Sequence, residues 1–495
     1  MLPAMKTKRV VARTVLALLA AAGTAAAATY NVSPGPANSA TNLRQAVIDA
    51  NNNPGADTIA LAAGLYEFKQ SGRNEDAAAT GDLDILEPVT ITGAGADSTI
   101  IDGADLDRIF HILTTTGAYP VAIADLTIRN GTPGTGTDEV GGGLRNDGGT
   151  LTLTRTKVLD GLARQGGGVY SVDATLVLDQ CVVRNNRAVA GTAGQGGGIY
   201  FRETGAWTLQ LLDSIVDGNW ASDDGGGIEN FEGTVEIEGS TVSGNYSGDD
   251  GGGIENDNHG TGGYLTIRNS AFVNNTAWNG GAIDNDGWVT ALNLTIAGNR
   301  ATNTAKEAWG SGGIRNSEDT AVGIQVTLTN CTVYGNLAVT DGSLTLKPGD
   351  ISNISPLASE VRMKNAILGT CLSHVDVGQN GTFVSWGDNV IEDSSGCQLS
   401  SAGGAPPDTH GDPKLGTLSD NGTAGNAHLP LMSDSPAIDA ADEAAAPSND
   451  QLGQPRIDGD DQGGTEPDIG AIEFAGQTGA HPGQPEGLQV KPFVP

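Results

Sequence analysis

Gly225-Gly226-Gly227-Ile228-Glu229-Asn230 returns almost letter for letter as Gly251-Gly252-Gly253-Ile254-Glu255-Asn256. Weaker copies set their apolar residue at Leu144, Val169, Ile199, Ile283 and Ile314, so the motif recurs every two to three dozen residues. A fixed period of that size marks a stacked repeat, in which each unit buries its apolar residues only against its neighbours. The period constrains the fold far more tightly than it constrains the function.

A second column accompanies the glycines: Val183-x-x-Asn186, Val216-x-x-Asn219, Val242-x-x-Asn245, Phe272-x-x-Asn275, Ile296-x-x-Asn299 and Val333-x-x-Asn336. Upstream of the column run alternating segments such as Leu151-Thr152-Leu153, Val235-Glu236-Ile237 and Val326-Thr327-Leu328. Alternation of period two reads as strand, and the Gly and Asn clusters between read as turns. Short strands, no helical period and a constant repeat predict an all-β chain, a right-handed parallel β-helix of the pectin-lyase-like kind. Its turns should stack about 4.8 Å apart. In such a solenoid glycine serves tight turns where backbones approach closely. A stacked Asn can bond the turn backbone above and below, and it tolerates the left-handed conformation.

Phe272-Val-Asn-Asn275 followed by Gly280-Gly-Ala-Ile283 resembles the paired FxxN and GGA(I/L) repeats of polymorphic outer-membrane proteins and related bacterial β-helix proteins. The resemblance covers residues 120 to 340 and implies an architecture, not an activity.

Ahead of the repeats, Lys6, Lys8, Arg9 and Arg13 precede an apolar run from Val15 to Ala22, with Ala26-Ala27-Ala28 as a small-residue cleavage site. Residues 1–28 therefore read as a secretory signal peptide, too short in its apolar run to span a membrane. Its removal takes the formal charge from −33 to −37. That acidity argues against nucleic acid and anionic lipid as partners, and it fits a secreted or cell-surface protein. Residues 29–88 read as an N-terminal cap. Leu43, Ala46, Val47 and Ala50 form the stripe of an amphipathic helix, with Thr41 as its cap, laid over the open edge of the first turn. Asn42-Leu43-Arg44-Gln45-Ala46 resembles the CSLREA motif of secreted β-helix proteins, without that motif's cysteine.

Residues 89–370 carry the β-helix repeats, and the composition changes near 371. Trp386-Gly-Asp-Asn-Val390, Gly411-Asp-Pro-Lys-Leu415, Ser435-Pro-Ala-Ile-Asp439, Asp450-Gln-Leu-Gly-Gln-Pro455 and Asp468-Ile-Gly-Ala-Ile-Glu473 resemble the choice-of-anchor Q domain, so 371–475 read as a C-terminal domain and 476–495 as a flexible tail. Of the four cysteines, Cys181 and Cys331 occupy the same position of the repeat several turns apart, too far to bond, and read as buried thiols. Cys371 and Cys397 are then the expected disulfide.

The residues that follow each repeat's apolar position run Arg145, Tyr170, Tyr200, Glu229, Glu255, Asp284, Arg315. On a β-helix they form one outward row, with three acids one turn apart. The residue after the Asn column supplies Trp220 and Tyr246 on adjacent turns, and the loops between carry Asp223-Asp224 and Asp249-Asp250. Aromatics beside carboxylates suit a polysaccharide or a cell-surface or host glycan, because sugar rings pack on π faces and carboxylates accept hydroxyl protons. Carboxylates about 5 Å apart also match a retaining glycosidase pair, and an oxygen-rich cluster suits Ca²⁺. The bland reading is a solvated acidic surface copied by repeat duplication. A further Ca²⁺ candidate is the EF-hand-like loop with Asp458, Asp460, Asp461, Glu466 and Asp468, in which Ile469 replaces the terminal bidentate glutamate.

The chain lacks the Asn-Thr-Asp and Gly-His-Gly motifs of β-helix polygalacturonases. The sequence thus points to an exported β-helix protein in adhesion or glycan binding without catalysis. The competing class is a lyase or glycoside hydrolase acting through the acidic face.

Overall fold

Each repeat folds into one turn of a right-handed parallel β-helix with four short faces, as the computed structural model shows. Described are residues 27–474, apart from 37–41, 73–74, 115–118, 134–138, 192, 204, 259–261, 304–309, 318–324, 340–345, 355–358, 374–380 and 457–465. In the turn that begins at the first triple glycine, face 1 is Ile228–Phe231, face 2 Thr234–Glu238, face 3 Thr241–Ser243 and face 4 Tyr246–Ser247. Each pairs in parallel with its counterpart one turn on, Ile228 with Ile254, Val235 with Leu265, Val242 with Phe272 and Tyr246 with Thr276.

Strand side chains alternate between core and exterior, so identical positions in register make continuous columns. Leu144, Val169, Ile199, Ile228, Ile254, Ile283 and Ile314 form one such column, each 0% exposed, and Phe110 extends it by a turn. The glycines beside it have different tasks. Gly225 holds the left-handed conformation (φ +63°), whereas a Cβ on Gly226 would lie 2.5 Å from the backbone of Tyr246.

The asparagine column is a buried hydrogen-bond ladder. From Asn186 through Asn219, Asn245, Asn275 and Asn299 to Asn336, each Nδ2 donates to the next Oδ1 at 2.8–3.0 Å, and Asn336 ends the run on Asp350 Oδ1. The left-handed residue is the one before each column asparagine: Asn185, Gly218, Gly244, Asn274, Gly298 and Gly335. The column side chain must point inward to reach its neighbours, so the preceding residue makes the turn. A second ladder lies on face 1, where Asn230, Asn256, Asn285 and Asn316 donate in succession at 2.7–3.0 Å and end on Asn353.

Helix α1, Leu43–Asn52, packs on the first strands and buries Leu43, Ala46, Val47 and Ala50 as the stripe requires. Its cap is Asn42, whose side chain accepts from Gln45 N at 3.2 Å, rather than Thr41, which lies outside the described residues. So does the expected signal peptide as far as residue 26. Among the described residues no helix is long and apolar enough to cross a membrane.

Beyond 371 the strands Thr382–Ser385, Val390–Asp393, Leu399–Ser401 and Thr409–His410 continue the parallel stack. Later segments, as far as 474, return along the outside of face 3. Ala427 and Leu429 pack on Ala271, Val273 and Ala297. Buried Gln451 donates to the carbonyls of Gly425 and Ala427 and accepts from Thr295 Oγ1 at 2.6 Å. This strap covers a face that a bare solenoid would leave to solvent.

Cys371 and Cys397 form a disulfide across the last turns. Cys181 and Cys331 are buried free thiols, and burial pushes both up to about 12, a range in which they stay protonated and inert. Thiol titration of the denatured, unreduced protein is expected to find two free thiols. Four would show that the Cys371–Cys397 bond is absent, and none would contradict the register.

Candidate functional site

Because Ile228 points into the core, its neighbour Glu229 points away from it, and the register stacks such neighbours into one row along face 1. The row runs Asp84, His111, Arg145, Tyr170, Tyr200, Glu229, Glu255, Asp284, Arg315 and Ser352. Its first two members escaped the sequence reading because those turns lack the triple glycine. Tyr170 and Tyr200 stack at 5.1 Å with rings 7° from parallel, and the Arg145 guanidinium lies 6.0 Å from the Tyr170 ring centre.

The three acids face away from the core, yet they are not a solvated stripe. Glu229 is 1% exposed, Glu255 6% and Asp284 1%. The corner between faces 4 and 1 passes directly over them: a Cβ on Gly225 would lie 2.7 Å from Glu229 Oε2. That corner carries Asp223-Asp224, and its copy one turn on carries Asp249-Asp250. Arg315 donates to Asp284 Oδ2 at 2.8 Å and to Asp250 Oδ2 at 3.3 Å, and Asn279 donates to Asp250 Oδ1 at 2.7 Å. Gln195 donates to Asp224 Oδ2 at 3.1 Å. Glu229 Oε2 and Glu255 Oε2 are buried without a hydrogen-bond partner.

Burial is the main force on the acidity of this group, and the crowding of like charges adds to it. Together they hold Glu229 and Glu255 well above the usual carboxylate range, with Asp224 and Asp257 pressing on Glu229 and Asp284 and Asp250 on Glu255. Burial, with Asp223 and Asp250 adding to it, pushes Asp224 up to about 7. Asp284 is also raised by burial, and Arg315, which donates to it, opposes the shift.

Carboxylate oxygens of Asp223, Asp224 and Asp249 lie within 4.8 Å of one another at the outer edge of the corner. This donor set is all oxygen, which fits a hard cation such as Ca²⁺. The same corner leads back to the aromatic pair. Trp220 and Tyr246 stack on face 4 with centroids 6.0 Å apart and planes 4° apart, and Tyr246 is 41% exposed. Arg187 caps the pair, 5.1 Å from the Trp220 ring.

In the EF-hand-like loop, Asp458, Asp460 and Asp461 lie outside the described residues, and Glu466 is exposed. Asp468 is buried, and its two oxygens accept the backbone N–H of Asp439 at 2.8 Å and of Phe474 at 2.5 Å.

No family model matches the sequence, so the CSLREA-like and choice-of-anchor Q-like resemblances find no support there. No curated protein matches either. Among solved structures the chain is similar to a pectate lyase, at 12% identity and a TM-score of 0.32, over 91% of this chain and 98% of that one. It is also similar to the A-module of a mannuronan C-5 epimerase from Azotobacter vinelandii, at 15% identity and a TM-score of 0.31, over 78% of this chain and all of that module.

Proposed function

We propose that this is an exported polysaccharide-binding β-helix protein that acts at or beyond the cell surface, with Ca²⁺ held by the acidic corner. The observation that carries this reading is a coincidence on two adjacent turns. A stacked Trp220–Tyr246 pair, with Tyr246 41% exposed, adjoins a corner where Asp223, Asp224 and Asp249 converge over two buried carboxyl oxygens, Glu229 Oε2 and Glu255 Oε2, that have no hydrogen-bond partner. The exposed Tyr246 ring, backed by Trp220, offers an apolar surface for a sugar. The carboxylates, too numerous for the single Arg315, call for a cation, which in turn can take sugar hydroxyls or uronate oxygens as further ligands.

The division of labour sets the expected result of a glycan-array and titration experiment. Trp220→Ala should weaken binding about tenfold or more, the loss of roughly 1.4 kcal/mol of ring contact. Asp223→Asn should abolish the Ca²⁺ dependence of binding but leave the weaker, Ca²⁺-independent component intact. Binding that is indifferent to Trp220→Ala and to chelator would refute the reading. A second reading, acid–base cleavage, draws on the unequal surroundings of the Glu255–Asp284 pair, of which only Asp284 is bonded by an arginine. Reducing-sugar and unsaturated-uronate assays on the same polysaccharides decide it, since turnover lost in Glu255→Gln would replace binding with catalysis.

A further inference from the structure

At the opposite end of the face 1 row, a second cluster has a different chemistry. His111 is buried between two carboxylates: Nε2 lies 3.2 Å from Asp147 Oδ2 and Nδ1 lies 3.5 Å from Asp84 Oδ1. We propose that Asp76, Asp84 and His111 form a three-ligand site for a divalent transition ion, with zinc the best fit.

Geometry is the first support. Ligand atoms of the three side chains all lie within 4.8 Å of one another. The His111–Asp84 distance of 3.5 Å is too long for a good hydrogen bond. It is close to the edge of a zinc tetrahedron, since bonds of about 2.0–2.1 Å place neighbouring ligands about 3.3 Å apart. The second support is an orphan atom: Asp84 Oδ1 is fully buried, faces the imidazole and has no hydrogen-bond partner. Its sister oxygen accepts from Ala78 N at 2.7 Å, which fixes the carboxylate's direction.

The surroundings complete a metal-site pattern. Asp147 is held as an anion by Arg145 Nε at 2.7 Å, and a neutral His111 with its proton on Nε2 donates to it and leaves the Nδ1 lone pair turned toward Asp84. A carboxylate behind the distal imidazole nitrogen is the usual way to fix a ligating tautomer and raise its basicity. The nearby cations are committed elsewhere: Arg108 pairs with Asp82 at 2.9 Å, and Arg44 donates to the carbonyls of Ala78 and Asp82, each at 2.8 Å. Asp76 is exposed, so the ion has a way in, and the fourth position is left to water.

The test uses the full chain, stripped by chelator and titrated with Zn²⁺ by calorimetry and with Co²⁺ by visible absorption. One equivalent is expected to bind, with the intense absorption of four-coordinate Co²⁺. Asp76→Asn, an exposed change that spares the fold, should weaken Zn²⁺ binding at least tenfold, and His111→Ala should abolish it. Asp147→Asn should cost 10–100-fold through the tautomer, and Glu229→Gln should leave Zn²⁺ binding unchanged. Equal binding by the wild type and Asp76→Asn, or a Co²⁺ spectrum of purely octahedral type, would overturn the site and leave His111 as an imidazolium clamped between two carboxylates.

Discussion

Asn245→Ala is expected to destabilise the solenoid by about 2–4 kcal/mol, as much as truncation of an apolar core side chain. Asn245 Oδ1 accepts both the backbone N–H and the Nδ2 of Asn219 at 2.9 Å, and its Nδ2 donates to Val216 O at 3.0 Å and to Asn275 Oδ1 at 2.9 Å. The side chain therefore satisfies buried groups on the turns either side of it. Alanine would leave the backbone N–H of Asn219 without its acceptor and take one partner from Val216 O, while Asn219 Nδ2 and Asn275 Oδ1 would keep Val183 O and the backbone N–H of residue 245; each group left unsatisfied costs about 1–3 kcal/mol. A solenoid's turns contact only their neighbours, so the loss should concentrate locally. Hydrogen exchange should accelerate most at Asn219 and Val216, and the denaturation midpoint should fall. A loss under about 1 kcal/mol, or exchange unchanged at those turns, would mean that the ladder is an accessory rather than a support. The ladder's direction also explains its end. Each asparagine passes a donor forward, so the last partner must accept only, and Asp350 does so, accepting from Asn336 N and Nδ2 through Oδ1 and from Thr370 N through Oδ2.

The architecture was legible because one periodic signal reported it many times. The apolar position of the glycine motif, the asparagine position and the alternating strands all recur, so the inward column from Leu144 to Ile314 followed directly. Cys371 and Cys397 were legible by elimination once the repeat had separated the other two. Burial of Glu229, Glu255 and Asp284 was not legible, because alternation gives a side chain's direction relative to the core and says nothing of a corner folding back over it. The left-handed position was not legible for a related reason: the repeat marks which residues matter, and only the demand that Asn186 reach Asn219 fixes which of them turns. Asp84 and His111 were missed because they align with the acidic row only through strand pairing between turns of irregular length. The Asn in the glycine motif itself was the available sign of the second ladder.

In the calcium-free protein the melting temperature is expected to fall as pH rises from 4 to 8, and Glu229→Gln is expected to reduce that fall. The sign follows from linkage. Glu229, Glu255 and Asp224 have folded-state values raised by burial, so the folded chain holds protons that the unfolded chain has released above its ordinary carboxylate range. Their stabilising contribution is complete below about pH 4 and is lost as pH climbs through the folded values; for Asp224 the window closes at about 7. Asp82, Glu473 and Asp468, raised by burial to about 7, about 7 and about 6, push the same way, so the diagnostic quantity is the difference between wild type and variant. Glutamine keeps the shape of Glu229 and cannot ionise, so the two proteins should melt together at pH 4 and diverge at pH 8, the variant higher. Ca²⁺ acts in the opposite direction because it binds the ionised carboxylates of the corner. At pH 8 and a hundredfold excess over its dissociation constant it contributes about 2.7 kcal/mol, a rise of roughly 3 °C for a chain of this size. At pH 4, where Asp224 is protonated, the same addition should do little. A melting temperature that is flat from pH 4 to 8 in chelator, and unmoved by Ca²⁺ at either end, would mean that water reaches these carboxyls and that the corner is neither a proton store nor a cation site.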